Sequence, residues 1–335
     1  MTELRFNPLL SRWVTVAGER ASRPSDFVTR QLPVEAEPLR PCPFCPGNEG
    51  ATPPALESYG PQGHWQVRVV PNRYPAFDGE GPLRPVGHGP LHRSAPATGI
   101  HEVLVLSPHH RLSWADLSDP QAGLVMAAIR DRIEDHANQA GVEYTQVIVN
   151  HGREAGASIE HPHGQLLGIP FVPGELEDEL QNFAAFERTP GTVPGAHGLL
   201  GAVLSEELSR PERIVIDDDR VVALCPYWSG SPYELLVVPK RASAHLDRAA
   251  PGDLAATGRV LRDVLRRLRA LLGDIAYNLV FHTAPHRAGL QVPFCWHVHV
   301  LPKTSTVAGF EQGTGVRINI VAPERAAQQL QDIAV

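Results

Sequence analysis

Long apolar runs and an excess of positive charge are both missing from this sequence of 335 residues. No stretch approaches the roughly 20 apolar residues of a membrane-spanning helix, and the first residues, MTELRFNPLLSRW, lack the apolar core of a signal peptide. The formal net charge is -7, which does not favour nucleic-acid binding. We therefore expect a cytoplasmic protein that binds neither a membrane nor a nucleic acid.

Cysteine is also scarce, with four in the chain. A chain of this length buries a sizeable core without disulfides. Cys225 and Cys295 are isolated, which is typical of buried thiols. Cys42 and Cys45 form the C-x2-C pair CPFC, which predicts a metal site or a redox pair, with simple packing as the alternative.

An internal repeat runs through the chain. The segment around HEVLVLSP resembles that around YELLVVPK, and QVIVN resembles NLVFH. Glu102 and Glu234 are 132 residues apart, as are Asn150 and His282. Each half reads as strand, amphipathic helix, strand and His-x-His strand. This order predicts an α+β duplication with antiparallel sheets and packed helices, divided into residues 1–190 and 191–335.

The repeat also aligns the two His-x-His motifs. In this alignment His161-Pro-His163 corresponds to His297-Val-His299, and Leu301 takes the place of Gln165. The second half would then lack the amide of the first, which argues against a second catalytic centre.

The first motif carries the chemistry. Residues i and i+2 of a strand share a face, so His161, His163 and Gln165 are expected on one side. Gly156 and Ser158, in the preceding GREAGAS, could hold a phosphate. A neutral imidazole can attack phosphorus, and an amide can donate to the phosphate oxygens. The alternative is a solvated strand face.

The stretch ASIEHPHGQ resembles the active-site signature of the galactose-1-phosphate uridylyltransferase family, within the histidine-triad superfamily. Five further segments resemble that family in the same order: RFNPLLSRWVTVAGERASRP, CPFCPGNE, HEVLVLSPHH, FHTAPH and GTGVRINIVAPERAAQQL. The resemblance implies a duplicated histidine-triad fold, a homodimer, and UDP-sugar and sugar 1-phosphate substrates. It also implies a ping-pong reaction, in which a histidine first takes the nucleoside monophosphate and a second sugar 1-phosphate then accepts it.

The resemblance assigns roles to particular residues. His163 would be the nucleophile and Gln165 would bind the transferred phosphate. The other residues that would contact substrate are Arg20, Arg23, Asn72, Asn150 and Ser158. Paired guanidinium groups suit phosphate binding, although Arg20 and Arg23 could instead form surface ion pairs.

Two metal sites are implied as well. Zinc would be held by Cys42, Cys45, His110 and His161, a closed Cys2His2 set in which His109 competes with His110. Iron or zinc would be held by Glu179, His282, His297 and His299. For the second set, the alternative is a hydrogen-bonded strand face.

The sequence departs from the family pattern at the substrate-specifying positions. Arg73 stands where the family has an acidic residue that meets the ribose. Gly309, Thr314 and Gly315 replace its sugar-recognising lysine, tyrosine and glutamate, and AGFE-x-GTG resembles the branch that includes ADP-glucose phosphorylase.

Three functional hypotheses follow. The first is transfer of UMP from UDP-glucose to galactose 1-phosphate through a nucleotidyl-histidine. The second is a phosphorylase or adenylyltransferase for ADP-sugars or other NDP-sugars. The third is a catalytically silent, metal-stabilised protein that binds nucleotides.

Overall fold

The computed structural model describes residues 2–18, 41–191, 198–289 and 292–334. Within these ranges the chain forms strands and α-helices in mixed order. The strands are β1 (Glu3–Asn7), β2 (Arg12–Val16), β3 (Glu57–Tyr59), β4 (Val67–Pro71), β5 (Val86–His88), β6 (His92–Ser94), β7 (Ile100–Val105), β8 (Tyr144–His151), β9 (His163–Ile169), β10 (Ile214–Asp217), β11 (Val221–Leu224), β12 (Leu235–Pro239), β13 (Tyr277–His282), β14 (His297–Pro302) and β15 (Ile318–Asn319). The helices are α1 (Asp119–Ala137), α2 (Gly174–Glu187), α3 (Gly198–Ser209), α4 (Pro251–Leu272), α5 (Gly309–Thr314) and α6 (Pro323–Gln331).

One sheet of ten strands organises the molecule. Its order is β10-β11-β12-β14-β13-β8-β9-β7-β4-β3, and its neighbouring strands pair antiparallel. Two smaller sheets are β1-β2-β15 and the hairpin β5-β6. The predicted α+β class with antiparallel sheets is confirmed, apart from one short parallel pair between β2 and β15. Both halves of the repeat share the large sheet.

The two halves meet where β8 pairs with β13. In that pairing Ile148 lies opposite Val280, and these residues are 132 apart, like the repeat itself. An approximate twofold axis therefore passes through this pair. The predicted boundary at residue 190 falls between α2 and α3 and stays a prediction.

One face of the sheet is covered by α1 and α4. The Ser118 hydroxyl accepts a hydrogen bond from the Gln121 N–H and caps α1, and a proline stands at the first turn of both helices. Ile129 and Leu265 represent the buried helix stripes, which pack with alternate strand residues in one apolar core. Among the described residues, no helix is both long and apolar enough to cross a membrane.

The opposite face carries the polar residues of interest. Leu166 and Val298 belong to the core beneath α1 and α4. Because side chains alternate between the two faces of a strand, the odd-numbered residues of β9 and the two histidines of β14 lie on the opposite face. That side is covered by a second core that includes Phe183 and Leu200, and by a small cluster around Phe44. His163 and Gln165 of β9 and the two histidines of β14 therefore lie on one face of one sheet.

Candidate functional site

His163 is the first residue of β9 and is only 7% exposed. Its ring packs 5.3 Å from that of Phe44. Its Nδ1 lies 2.8 Å from the carbonyl oxygen of His161, so the Nδ1–H donates there and Nε2 keeps its lone pair. Burial lowers the pKa of His163, although the bond to the carbonyl opposes this effect. The residue is thus a neutral imidazole whose Nε2 can act as a nucleophile.

Gln165 lies two residues further along the same face. Its Oε1 is 2.8 Å from Nε2 of His101, which stands on the neighbouring strand β7. The Nδ1 of His101 accepts a hydrogen bond of 3.0 Å from the Ala76 N–H. Asn72 joins this group, because its Nδ2 is 3.1 Å from His101 Nε2. The structure therefore brings Asn72 and Gln165 together around His101, and their predicted contacts with substrate stay predictions.

Asn150 lies near His163 on the side of β9 away from β7, because its neighbour Val149 in β8 pairs with Gly164, the neighbour of His163. Its Oδ1 is 2.8 Å from Nδ2 of Asn278, which also lies 2.8 Å from the Ala155 carbonyl oxygen. Asn278 was not predicted from the sequence.

A cleft opens beside these side chains. Its walls include Asn150, Gly152, Ala157, His163 and Tyr277. The turn that forms one wall begins and ends with glycines at positive φ, +81° at Gly152 and +89° at Gly156. Only glycine adopts this backbone readily, so the sequence GREAG fixes the shape of the wall.

Of the remaining predicted substrate contacts, the structure describes Ser158 but not the two arginines. Ser158 is exposed on the segment between that glycine turn and His161. Arg73, which departs from the family pattern and is not a predicted substrate contact, is exposed directly after Asn72. Arg20 and Arg23 lie outside the described residues.

The Cys2His2 set is assembled as the resemblance implied. Cys42, Cys45, His110 and His161 place their ligand atoms within 4.8 Å of one another. The Cys45 Sγ is 3.4 Å from Nδ1 of His110 and 3.6 Å from Nδ1 of His161. Tetrahedral zinc bonds of about 2.0 Å to nitrogen and 2.3 Å to sulfur separate two ligands by roughly 3.5 Å. His110, and not His109, belongs to the set.

The tautomer of His161 also fits a metal ligand. Its Nε2 lies 2.7 Å from the carbonyl oxygen of Ser107, so Nε2–H donates and Nδ1 faces the cysteines with a lone pair. Burial lowers the pKa of His161 to about 4, although the bond to the Ser107 carbonyl opposes this effect. This cluster therefore could hold a metal ion two residues from His163.

A second set consists of nitrogen and oxygen donors. Glu179, His282, His297 and His299 also place their ligand atoms within 4.8 Å of one another. Nδ1 of His282 is 3.0 Å from Glu179 Oε2, and Nε2 of His297 is 3.2 Å from Nε2 of His299. Burial raises the pKa of the Glu179 carboxyl, but the two histidines His282 and His297 outweigh it and leave the pKa below its ordinary range. The group could hold a metal that favours nitrogen and oxygen ligands.

The sheet register corrects the alignment of the two His-x-His motifs. Gln165 lies opposite Ile148, and His299 lies opposite Val280. Since Ile148 and Val280 are repeat equivalents, His299 occupies the position of Gln165. The sequence alignment, which put Leu301 there, was wrong by two residues.

The same shift makes His297 the equivalent of His163. In both rings Nδ1 faces the carbonyl oxygen of the residue two positions earlier. For His297 this is the carbonyl oxygen of Cys295, at 2.9 Å. Its Nε2, however, is 3.7 Å from Glu179 and faces His299. In the second half, the nucleophile's position therefore contributes to the second ligand cluster.

Comparison with known proteins finds two matching family models. Residues 1–173 match the family described as galactose-1-phosphate uridyl transferase, N-terminal domain, and residues 207–306 match the HIT domain. ADP-glucose phosphorylase from Arabidopsis thaliana is 31% identical over 99% of this chain and 93% of its own. Galactose-1-phosphate uridylyltransferase from Thermotoga maritima is 30% identical over 100% of this chain and 99% of its own.

Solved structures show the same fold. The crystal structure of an ADP-glucose phosphorylase from Arabidopsis thaliana with bound ADP-glucose superposes with a TM-score of 0.82, at 27% identity and over 100% of both chains. A uridylyltransferase structure superposes with a TM-score of 0.75, at 24% identity, over 99% of this chain and 97% of its own. The family match over more than half of its length, together with the two relatives that are 31% and 30% identical, shows that the chain belongs to the galactose-1-phosphate uridylyltransferase family.

Proposed function

We propose that this protein is a nucleotidyltransferase in which His163 carries the nucleotide. The Nε2 lone pair of His163 attacks the α-phosphorus of an NDP-sugar and forms the P–N bond, while the bond to the β-phosphate oxygen breaks and sugar 1-phosphate leaves. An acceptor phosphate oxygen then attacks the same phosphorus, and the P–N bond breaks to restore neutral His163. The observation that carries this proposal is the Nδ1–H···O bond of 2.8 Å, which directs the lone pair of a buried imidazole away from its own strand.

Gln165 stabilises the charge that develops during both steps. Its amide lies on the same face as His163, two residues along β9. N–H donors aimed at phosphate oxygens are worth most where water is excluded, because the local dielectric is low. Asn150 flanks His163 from β8 and supplies a second amide.

We assign zinc to the Cys2His2 set and iron or zinc to the set around Glu179. Zinc in a closed site of four protein ligands is structural and leaves no position for substrate. His161 would be fixed by its ligand role, and its carbonyl oxygen in turn fixes Nδ1 of His163. The hydrogen bond from His161 Nε2 to the Ser107 carbonyl oxygen orients the ring so that Nδ1 faces the two cysteines.

The first candidate pair of substrates is UDP-glucose and galactose 1-phosphate, as predicted from the sequence. Its support is the family and the relatives named galactose-1-phosphate uridylyltransferase. The second candidate is ADP-glucose with inorganic phosphate as acceptor. It is favoured by the likeness to ADP-glucose phosphorylase and by Arg73, Gly309, Thr314 and Gly315, which depart from the uridylyltransferase pattern.

Intact-protein mass spectrometry tests the proposal. The wild type and His163→Ala are mixed briefly, in separate tubes, with UDP-glucose, UDP-galactose, ADP-glucose or GDP-mannose. We expect one nucleoside monophosphate adduct in the wild type and none in the variant. A uridylyl adduct discharged by galactose 1-phosphate supports the first pair, and an adenylyl adduct discharged by phosphate supports the second. Donor binding without any adduct would instead favour the silent nucleotide-binding protein.

A further inference from the structure

We infer that His101 and Asn278 are positioning residues that turn the amides of Gln165 and Asn150 so that both NH2 groups face the substrate phosphates. The inference rests on the proposed function for its catalytic meaning. Its structural content rests on two chains of hydrogen bonds, each of which ends at a backbone group. A backbone N–H can only donate and a backbone C=O can only accept, so each one decides which atom of its partner faces it.

The first chain begins at Ala76. Its backbone N–H can only donate, so Nδ1 of His101, at 3.0 Å, must accept. The neutral ring then carries its hydrogen on Nε2. That hydrogen needs an acceptor, and the atom of Gln165 at 2.8 Å is therefore the amide oxygen. The nitrogen of Gln165 points away from His101.

Asn72 does not compete for this hydrogen. Its Oδ1 accepts from the backbone N–H of Tyr74 at 2.9 Å, which fixes Nδ2 as the atom near His101. Nδ2 is a donor, as is Nε2–H of His101, so the contact of 3.1 Å is not a hydrogen bond. Gln165 is thus the acceptor for His101, and the Asn72 amide keeps its hydrogens for other acceptors.

The second chain begins at Ala155. Its carbonyl oxygen can only accept, so the atom of Asn278 at 2.8 Å is Nδ2. The same Nδ2 lies 2.8 Å from Asn150, which must offer Oδ1. Both hydrogens of Asn278 are then used, one on the turn and one on Asn150. The nitrogen of Asn150 is left to donate, and it lies 3.7 Å from where a Cβ on Gly156 would stand.

The two chains reach His163 from opposite sides. His101 acts from β7 and Asn278 from β13, so each half of the repeat supplies one positioning residue. The site consequently offers N–H donors from both amides to a phosphate. Fixing these donors before substrate arrives removes the reorientation cost during the reaction.

Single-turnover nucleotidylation, with the donor that gives an adduct in the wild type, tests the catalytic part. In His101→Phe the ring shape remains but Gln165 loses its partner, and we expect the rate constant to fall about 10- to 100-fold with little change in donor affinity. His101→Gln, whose amide can donate to Gln165, should recover most of the rate. In Asn278→Asp the carboxylate draws the Asn150 NH2 toward itself, and we expect a fall of at least about 10-fold. Melting temperatures of all variants are measured in parallel.

Three outcomes would overturn the roles assigned to His101 and Asn278. A His101→Phe rate within twofold of the wild type, or a His101→Gln rate as low as that of His101→Phe, would overturn the role of His101. A wild-type rate in Asn278→Asp would overturn that of Asn278.

If the wild type forms no adduct, the proposed function fails. The orientation of the Gln165 amide can still be tested, because it follows from which ring nitrogen of His101 carries the hydrogen. Long-range ¹⁵N–¹H NMR of the labelled protein, assigned with His101→Gln, should show the Nε2–H tautomer of His101. The Nδ1–H tautomer would overturn the inference.

Discussion

At the residue scale, the amide of Gln165 is the group whose chemistry is easiest to isolate. Gln165→Glu keeps the size of the side chain but replaces its N–H donors with an anionic oxygen beside the phosphate. We expect the nucleotidylation rate to fall at least about 100-fold, since loss of one such donor costs roughly 3 kcal/mol in the transition state. The melting temperature should change little. Gln139→Glu, at an exposed position, is the matched control, and a rate within threefold of wild type in Gln165→Glu would contradict this role.

The sequence alone identifies candidate residues where they stand in motifs. His163 and Gln165 stand in one short stretch, and each metal set contains a C-x2-C or His-x-His pair. His101 and Asn278 could not be predicted in this way, because they act across strands from 64 residues before Gln165 and 128 residues after Asn150. Only the register of the sheet brings these partners together.

The same limit explains the error in aligning the two histidine motifs. The connection from β8 to β9 is shorter than that from β13 to β14. The repeat offset of 132 holds at Ile148 and Val280, but it is lost in these loops. Aligning one His-x-His motif with the other therefore matched Gln165 with Leu301. The backbone pairing of the strands shows instead that Gln165 corresponds to His299.

At the scale of elements, the contact between α1 and α4 depends on one glycine. A Cβ at Gly258 would lie 2.6 Å from the backbone oxygen of Ala122, whereas a Cβ at Gly123 would meet only Ala255 at 3.6 Å. Gly258→Ala should therefore lower the free energy of unfolding by about 1–3 kcal/mol, despite alanine's better helix propensity. Gly123→Ala should be neutral or slightly stabilising. Urea unfolding of both variants checks this, and equal effects would show that the helices separate freely.

A buried ion pair joins β7 to α1. Glu102 and Arg132 are 2% and 8% exposed, and the Arg132 Nε lies 2.8 Å from Glu102 Oε2. His136 adds Nε2 at 3.3 Å from the other carboxylate oxygen. Burial alone would raise the pKa of Glu102, but His136 and Arg132 outweigh burial and lower it.

This pair gives a pH-dependent stability. Because the folded pKa of Glu102 is lowered, its contribution is present above the unfolded pKa of roughly 4.3 and is lost as pH falls through the folded value. Glu102→Gln should cost about 3 kcal/mol at pH 7, since the buried Arg132 loses this carboxylate and keeps its contact with the exposed Asp135. The difference from wild type should narrow below about pH 4. Urea unfolding across pH measures it, with the exposed Glu80→Gln as control, and a constant difference would contradict the linkage.

At the scale of the whole molecule, one ligand cluster lies beside the start of β9 and the other includes two histidines of β14, in the other half of the large sheet. Cys45→Ser should remove one metal equivalent and slow nucleotidylation, because His161 supports His163 through its carbonyl. His299→Ala should remove the other equivalent and lower the melting temperature, with a smaller effect on the rate. Elemental analysis of each purified variant, together with its single-turnover rate, checks this. A rate loss confined to His299→Ala would reverse the assignment.

The pairing of β8 with β13 also bears on how the chain is made. During synthesis, residues 144–151 emerge long before their partner strand at residues 277–282. At a typical pace the ribosome needs on the order of ten seconds to cover that interval. Throughout it, the edge of β8 that later pairs with β13 presents unpaired N–H and C=O groups to any other extended chain nearby. We therefore expect aggregation to compete with folding mainly while only the first half has emerged, and slow translation after residue 151 would lengthen that stage.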